Sequence, residues 1–238
     1  MSQTVVIAGV GPGLGASLAR RFAREGCRVA MFARSALYLR QLEAELKAQD
    51  SSVLATPIDL TDPTQVADGF ACVRHAFGPI DVLIHHAGNA VWKGLMDLTS
   101  EQFEQAWRVG PYGGFLCAKE AVSDMLNKGA GAMIFTGATS SVRGRGGALA
   151  FSSAKFGVRG LAESLARELW PKGIHVAHVV IDGVIDTPEV RAQYSLVPND
   201  PLLSPDAIAE SYWRLVQQDR SAWTLELDVR PFNEEFFV

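Results

Sequence analysis

Short runs of apolar, β-branched residues alternate along this chain with longer stretches whose apolar residues recur every three or four positions. The short runs have the length of strands and the longer ones the spacing of helices, a pattern that predicts βαβ units in a parallel sheet. Seven strands are expected, at Thr4–Ala8, Arg28–Ala33, Val53–Pro57, Val82–His85, Ala132–Thr136, His175–Ile181 and Thr224–Leu227. Between them Leu14, Leu18 and Phe22, and then Leu39, Leu42 and Leu46, form stripes that can cover the sheet on both faces. The expected fold is α/β, a doubly wound seven-stranded parallel sheet.

No internal repeat, low-complexity tract or mixed Pro, Gly and Ser linker divides the chain. Its 238 residues would allow two small domains, but one domain over residues 1–238 is expected. Residues 186–204 break the rhythm, with Pro188, Pro198 and Pro201 and no clear periodicity, before Pro205 and Asp206 open another helix. A loop this long after a strand end reads as a lid.

Composition narrows the class. Hydrophobic residues make up 48% and charged residues 20%, which excludes a disordered or fibrous chain. The 22 Lys and Arg against 26 Asp and Glu give a net charge of −4, so a nucleic-acid partner is not expected. A membrane span is not expected either, because apolar runs such as Val176–Ile181 are only strand-length. The start, Met1-Ser2-Gln3-Thr4, has no basic region leading into a cleavage site, so it does not read as a signal peptide. Cys27, Cys72 and Cys117 are odd in number and widely spaced, which suits a reducing cytoplasm better than a disulfide framework or a zinc site.

The candidate chemistry begins at the first strand end, where Gly9, Gly13 and Gly15 form Gly-x-x-x-Gly-x-Gly just before the first helix. Glycines there permit a tight turn, close approach of the backbone to a pyrophosphate and close packing of helix on sheet, while the helix N-terminus offers free N–H groups. At the second strand end, an acid would hold a ribose 2′-hydroxyl and an arginine would favour a 2′-phosphate. The residues are Ala33-Arg34-Ser35, so NADP is expected, with NAD as the alternative and a solvated helix-start arginine as the plainer reading. Asp59 has the chemistry to accept from an adenine amino group, or to serve as a turn or cap carboxylate before Pro63.

Together these residues resemble the short-chain dehydrogenase/reductase family over nearly the whole chain. Gly9, Gly13 and Gly15 match its cofactor loop, and Asp59 its adenine contact. His85-His86-Ala87-Gly88 is similar to its Asn-Asn-Ala-Gly segment, and Asp182-Gly183-Val184-Ile185-Asp186-Thr187 to its Pro-Gly-x-x-x-Thr segment. The resemblance implies a Rossmann-type fold and a cofactor held by Gly9, Gly13, Leu14, Gly15, Arg34, Asp59, Leu60, Ala87, Gly88, Lys155, Gly183, Ile185 and Thr187. A homodimer or homotetramer, paired through the helices around 101–125 and 151–170, is implied as well. No metal is expected: His85 and His86 are strand neighbours that point to opposite faces, and no third ligand has suitable spacing.

The family's proton chemistry uses a Tyr, a Lys four residues later, a Ser thirteen residues before the Tyr, and an Asn on the preceding long helix. In this sequence Lys155 is in place, while the Tyr position is Phe151, the Ser position Ala138 and the Asn position Gly110. Lys155 then reads first as a ribose ligand and second as a direct catalytic lysine. Tyr112, Ser140, Ser141, Ser152, Ser153 and Tyr194 lie near the lost groups, and Asp182 adds a carboxylate where Pro is usual, its plainer reading a loop carboxylate serving local backbone N–H groups. Trp92, Phe115, Tyr112, Phe151, Val184 and Tyr194 would line a mostly apolar pocket. The expected activity is NADP(H)-dependent oxidoreduction of a small hydrophobic carbonyl or alcohol with an altered catalytic set. The alternatives are a catalytically silent NADP-binding sensor or partner subunit, and a reductase of activated substrates.

Overall fold

Alternate residues of the first strand enter different cores: Val5 and Ile7 pack on one side of the sheet, Val6 on the other. A strand buried on both faces has to be covered by helices on both, and the chain supplies them. The computed structural model describes residues 2–193, 195 and 200–233. In chain order it contains β1 (Thr4–Ala8), α1 (Leu14–Arg24), β2 (Arg28–Ala33), α2 (Ala36–Lys47), β3 (Val53–Pro57), α3 (Pro63–Phe77) and β4 (Val82–His85). Then come α4 (Ser100–Trp107), a π-turn (Arg108–Tyr112), α5 (Gly113–Lys128), β5 (Gly131–Thr136), a 3₁₀ turn (Thr139–Ser141) and α6 (Leu149–Leu169). The chain continues with β6 (Ile174–Ile181), β7 (Val184–Ile185), α7 (Pro188–Gln193), β8 (Leu202–Leu203), α8 (Pro205–Val216) and β9 (Glu226–Val229).

The seven-stranded sheet has the order β3-β2-β1-β4-β5-β6-β9, with every neighbouring pair parallel. The chain winds outward from β1 to β3, then starts again at β4 on the other side of β1. Loops leaving β1 and β4 therefore diverge, and a crevice forms at their carboxyl ends. Side chains cap α2, α3, α4 and α8: Ser35 accepts from the Tyr38 N–H, Asp62 from Thr64 and Gln65, Thr99 from Gln102, and Ser204 from Ala207. Helix α1 begins after Gly13 with no side-chain cap, and while Ala16 N–H donates to the Gly11 carbonyl, the Leu14 and Gly15 N–H groups at the carboxyl end of β1 have no side-chain partner. Among the described residues no helix is long and apolar enough to cross a membrane.

Two expectations need correction. The last strand runs over Glu226–Val229 rather than 224–227, because Thr224 is tied up in a turn: its N–H donates to Gln218, and its carbonyl accepts from His175 Nε2 at 2.8 Å. Residues 186–204 are also not one aperiodic loop. Val184 and Ile185 pair in parallel with Leu202 and Leu203, and Thr187 Oγ1 accepts from the Val190 N–H at 3.2 Å to start α7. Six helical residues make fewer than two turns, too few for a period to show in the sequence. Tyr194, which the lid reading included, lies outside the described residues.

Candidate functional site

The crevice at the strand reversal is a cleft of about 420 Å³, and Gly9, Arg34, Asp59, Leu60, Ala87 and Gly88 all line it. Gly9 has φ 107°, and a Cβ there would lie 2.4 Å from the Ala87 nitrogen, so the turn after β1 closes on β4 only with glycine. Gly13, at φ 138°, would meet Thr187 Cγ2 at 2.7 Å, which brings the glycine loop against the segment that follows β6. Gly15 serves packing, since its Cβ would fall 2.8 Å from Val10 Cα, and the Leu14 side chain is buried in the core, leaving only its backbone for a ligand. Arg34 is exposed and has no hydrogen bond or ion pair among the described residues. Asp59 Oδ1 accepts from Thr61 N and Oγ1, both at 2.9 Å, so it is a turn carboxylate that also faces the cleft; the α3 cap is Asp62 instead.

His86, Asn89 and Gln105 also line the cleft, and the sequence reading did not assign them there. For His86 the signal was available: β4 ends at His85, so residue 86 is the first beyond a strand end at the reversal. The two histidines diverge as strand neighbours do. His85 is buried and its Nε2 donates to the Gly110 carbonyl at 3.0 Å, bracing the π-turn that carries the lost Asn position. Burial, then the nearby Lys155 ammonium, push His85 down to about 4 and His86 to about 3, so both are neutral imidazoles.

Lys155 is buried on α6, and its Nζ donates to the Thr136 carbonyl at 2.8 Å. Its Nζ also lies 5.7 Å from the centre of the Phe151 ring, which in turn packs against Trp92 at 5.2 Å. Burial lowers the ammonium to about 8. Ala138 presents a methyl group, and its N–H donates to Ser141 Oγ at 3.0 Å, so Ser141 is occupied in shaping the turn. Ser153 accepts from Trp107 Nε1 at 2.9 Å, and the buried Ser152 hydroxyl has no hydrogen-bond partner among the described residues. Tyr112 is partly exposed beside the Arg108 guanidinium, and Gly183 and Ile185 sit with Leu203 behind the strand end of β6.

Asp182 does not serve local backbone amides. Its buried carboxylate accepts from Thr139 Oγ1, contacts Arg143 Nη2 at 3.2 and 3.3 Å, and pairs with Arg230 Nη2 at 2.9 Å. One side chain thus ties the turn after β5, the end of β6 and the exit from β9, three segments that meet at the carboxyl edge of the sheet.

A family model described as short chain dehydrogenase matches residues 3–195. The chain belongs to the short chain dehydrogenase family. It is 32% identical over 192 residues to the 3-oxoacyl-[acyl-carrier-protein] reductase MabA of Mycobacterium tuberculosis, covering 81% of this chain and 73% of that one. A short-chain dehydrogenase structure from Rhodopseudomonas palustris is 36% identical, with a TM-score of 0.84 over 97% of this chain and 99% of that one. The alcohol dehydrogenase of Thermococcus sibiricus, solved with 5-hydroxy-NADP, is 25% identical, with a TM-score of 0.89 over 99% of both chains.

In this short chain dehydrogenase family member, Asp182 replaces a proline-directed turn with an ionic one. Removing one partner of a buried pair typically costs about 3–5 kcal/mol, and Arg230 keeps a second carboxylate in Asp228, so the low end applies. Asp182→Ala should lower unfolding stability by about 3 kcal/mol in chemical denaturation. A loss under about 1 kcal/mol would mean that the clamp carries no net stability.

Proposed function

We propose that this chain binds NADP(H) and acts as an oxidoreductase on a small, mostly hydrophobic carbonyl or alcohol substrate. The observation that carries the reading is Arg34, a cation without a partner among the described residues, lining the cleft at the end of β2 where no acid stands. A 2′-phosphate is its natural partner, because a guanidinium binds phosphate bidentately. The NADP analogue bound by the Thermococcus sibiricus relative supports the same cofactor. The open first turn of α1, together with Gly9, Gly13 and Gly15, suits the pyrophosphate, and Asp59 and Leu60 suit the adenine side. Ala87, Gly88, Lys155, Gly183, Ile185 and Thr187 would border the ribose and nicotinamide.

When bound, the reduced cofactor supplies the hydride. What the chain would add is position, dryness and proton handling. Trp92 and Phe151 offer an apolar wall, Lys155 offers a cation, and residues 138 and 151 offer no hydroxyl. The reading places all of this in one domain of a cytoplasmic protein that self-associates. Trp107 and Phe156, partly exposed on α4 and α6, suit a helical face paired with a second copy, and Phe115, expected in the pocket, is exposed on α5. The missing hydroxyls also favour a second reading, a silent NADP-binding sensor or partner subunit. Steady turnover of NADPH by any carbonyl compound, abolished by a pocket substitution, separates the two.

Two tests address the cofactor and the chemistry. Arg34→Asp should weaken NADPH binding by about 10- to 100-fold, the value of a charge-assisted contact, while barely changing NADH binding. Equal losses, or tighter NADH than NADPH binding in the unaltered protein, would remove the NADP assignment. Restoring both hydroxyls as Phe151→Tyr with Ala138→Ser should raise NADPH-dependent reduction of a reactive dicarbonyl by ~10²-fold, the low end of general-acid effects. Phe151→Tyr alone should give less, since the two groups act as a unit. A double variant no faster than an already efficient parent would show that the parent lacks nothing.

A further inference from the structure

Residues 151 and 155 lie four apart on α6 and so share one face. With phenylalanine at 151, Lys155 is the ionisable group of that face next to residue 151. It has three N–H bonds, and one is used, on the Thr136 carbonyl at 2.8 Å. Gly88, which lines the cleft, is the near neighbour on another side: a Cβ there would lie 3.5 Å from Nζ, so the buried ammonium lies directly behind a cleft residue that has no side chain. We propose that Lys155 is itself the acid of the reaction, protonating the substrate oxygen directly or across one water. This rests on the oxidoreductase reading above and replaces the hydroxyl acid with an ammonium.

The groups facing Lys155 leave it this role. His85 and His86 at the end of β4 are neutral, and burial likewise lowers His178 on β6, so none offers an acid at neutral pH. Of the nearby carboxylates, Asp182 is held by Arg143 and Arg230, and Glu226 on β9 by Arg159 and His178. Arg108 and Tyr112 on the π-turn face each other. Among the described residues no carboxylate pairs with Lys155, and burial alone sets its titration near 8, close to the pH at which an acid works best. In the reducing direction a hydride from the reduced nicotinamide forms the new C–H bond and the carbonyl π pair moves onto oxygen. That oxygen takes a proton as one Nζ–H bond breaks. Lys155 is left as a neutral amine and regains its proton from solvent; oxidation of the alcohol runs the same steps backward with the amine as base.

The test has one arm that needs no turnover. In the full chain, with and without saturating NADP, side-chain NMR of isotope-labelled lysine, assigned with Lys155→Arg, should show Lys155 titrating near 8 in the free protein. A Lys155 that titrates with the surface lysines near the ordinary value of about 10.4 overturns the proposal. The second arm follows dicarbonyl reduction against pH at saturating NADPH. The rate should fall as pH rises through about 8, where the ammonium is lost. In Lys155→Arg, which keeps its proton, that fall should vanish, and in Lys155→Met the rate at neutral pH should drop by ~10²-fold at full cofactor saturation. An alkaline fall that stays in place in Lys155→Arg, or a Lys155→Met variant that turns over like the parent, rejects the lysine as acid. Failure of the unaltered chain to bind NADPH, read by cofactor fluorescence, would instead reject the reading beneath it.

Discussion

A single added carbon at Gly9 would stand 2.4 Å from the Ala87 nitrogen, and the rest of the site depends on that space staying clear. Strand β1 is the hinge of the sheet, flanked by β2 on one side and β4 on the other, and the loops at its carboxyl end have to separate within a few residues. Glycine at φ 107° lets the chain turn under β4 without a clash, so that α1 starts, uncapped by a side chain, at the carboxyl end of β1. Gly13 repeats the device against Thr187, which joins the loop after β1 to the segment after β6. The cleft is therefore a consequence of backbone contacts, and the side chains that line it are hung on a frame already fixed.

What could be read in advance follows the same division. Strand positions came from local apolar runs, and β1 to β4 match residue for residue. The central strands β1 and β4 are buried on both faces and read as continuous hydrophobic runs, while edge strand β3 is only partly buried and was marked by its β-branched start and closing proline. The glycine loop was legible because backbone geometry demands a residue type at fixed spacing. Asp182 was visible as a misplaced carboxylate, but its partners were not. Thr139, Arg143 and Arg230 lie about 40 to 48 positions away in sequence, and nothing in local pattern pairs an acid with a distant arginine. Likewise α7 is too short to carry a period, and the shift of β9 came from hydrogen bonds that Thr224 makes with Gln218 and His175.

Electrostatics at the candidate site runs in one direction. His85, His86, His178 and Lys155 are all lowered by burial, so the lasting positive charge at this end of the sheet belongs to arginines such as Arg34, Arg143 and Arg230. The carboxylates close by are neutralised by arginines rather than by the lysine. That segregation matters, because a carboxylate on Lys155 would hold its proton firmly and remove it from any exchange with a ligand.

Phe151 bears on this arrangement through its ring. Its ring lies 5.7 Å from Nζ, where attraction between cation and ring face is worth roughly 0.5–1 kcal/mol and asks for no hydrogen bond. The ring therefore steadies the protonated amine without consuming an N–H. Trp92, itself largely exposed, packs its ring 5.2 Å from that of Phe151 and adds apolar surface beside it. Burial is what depresses the lysine. What results is a buried amine that titrates near 8, held by the Thr136 carbonyl and set behind Gly88, with two of its N–H bonds unused among the described residues.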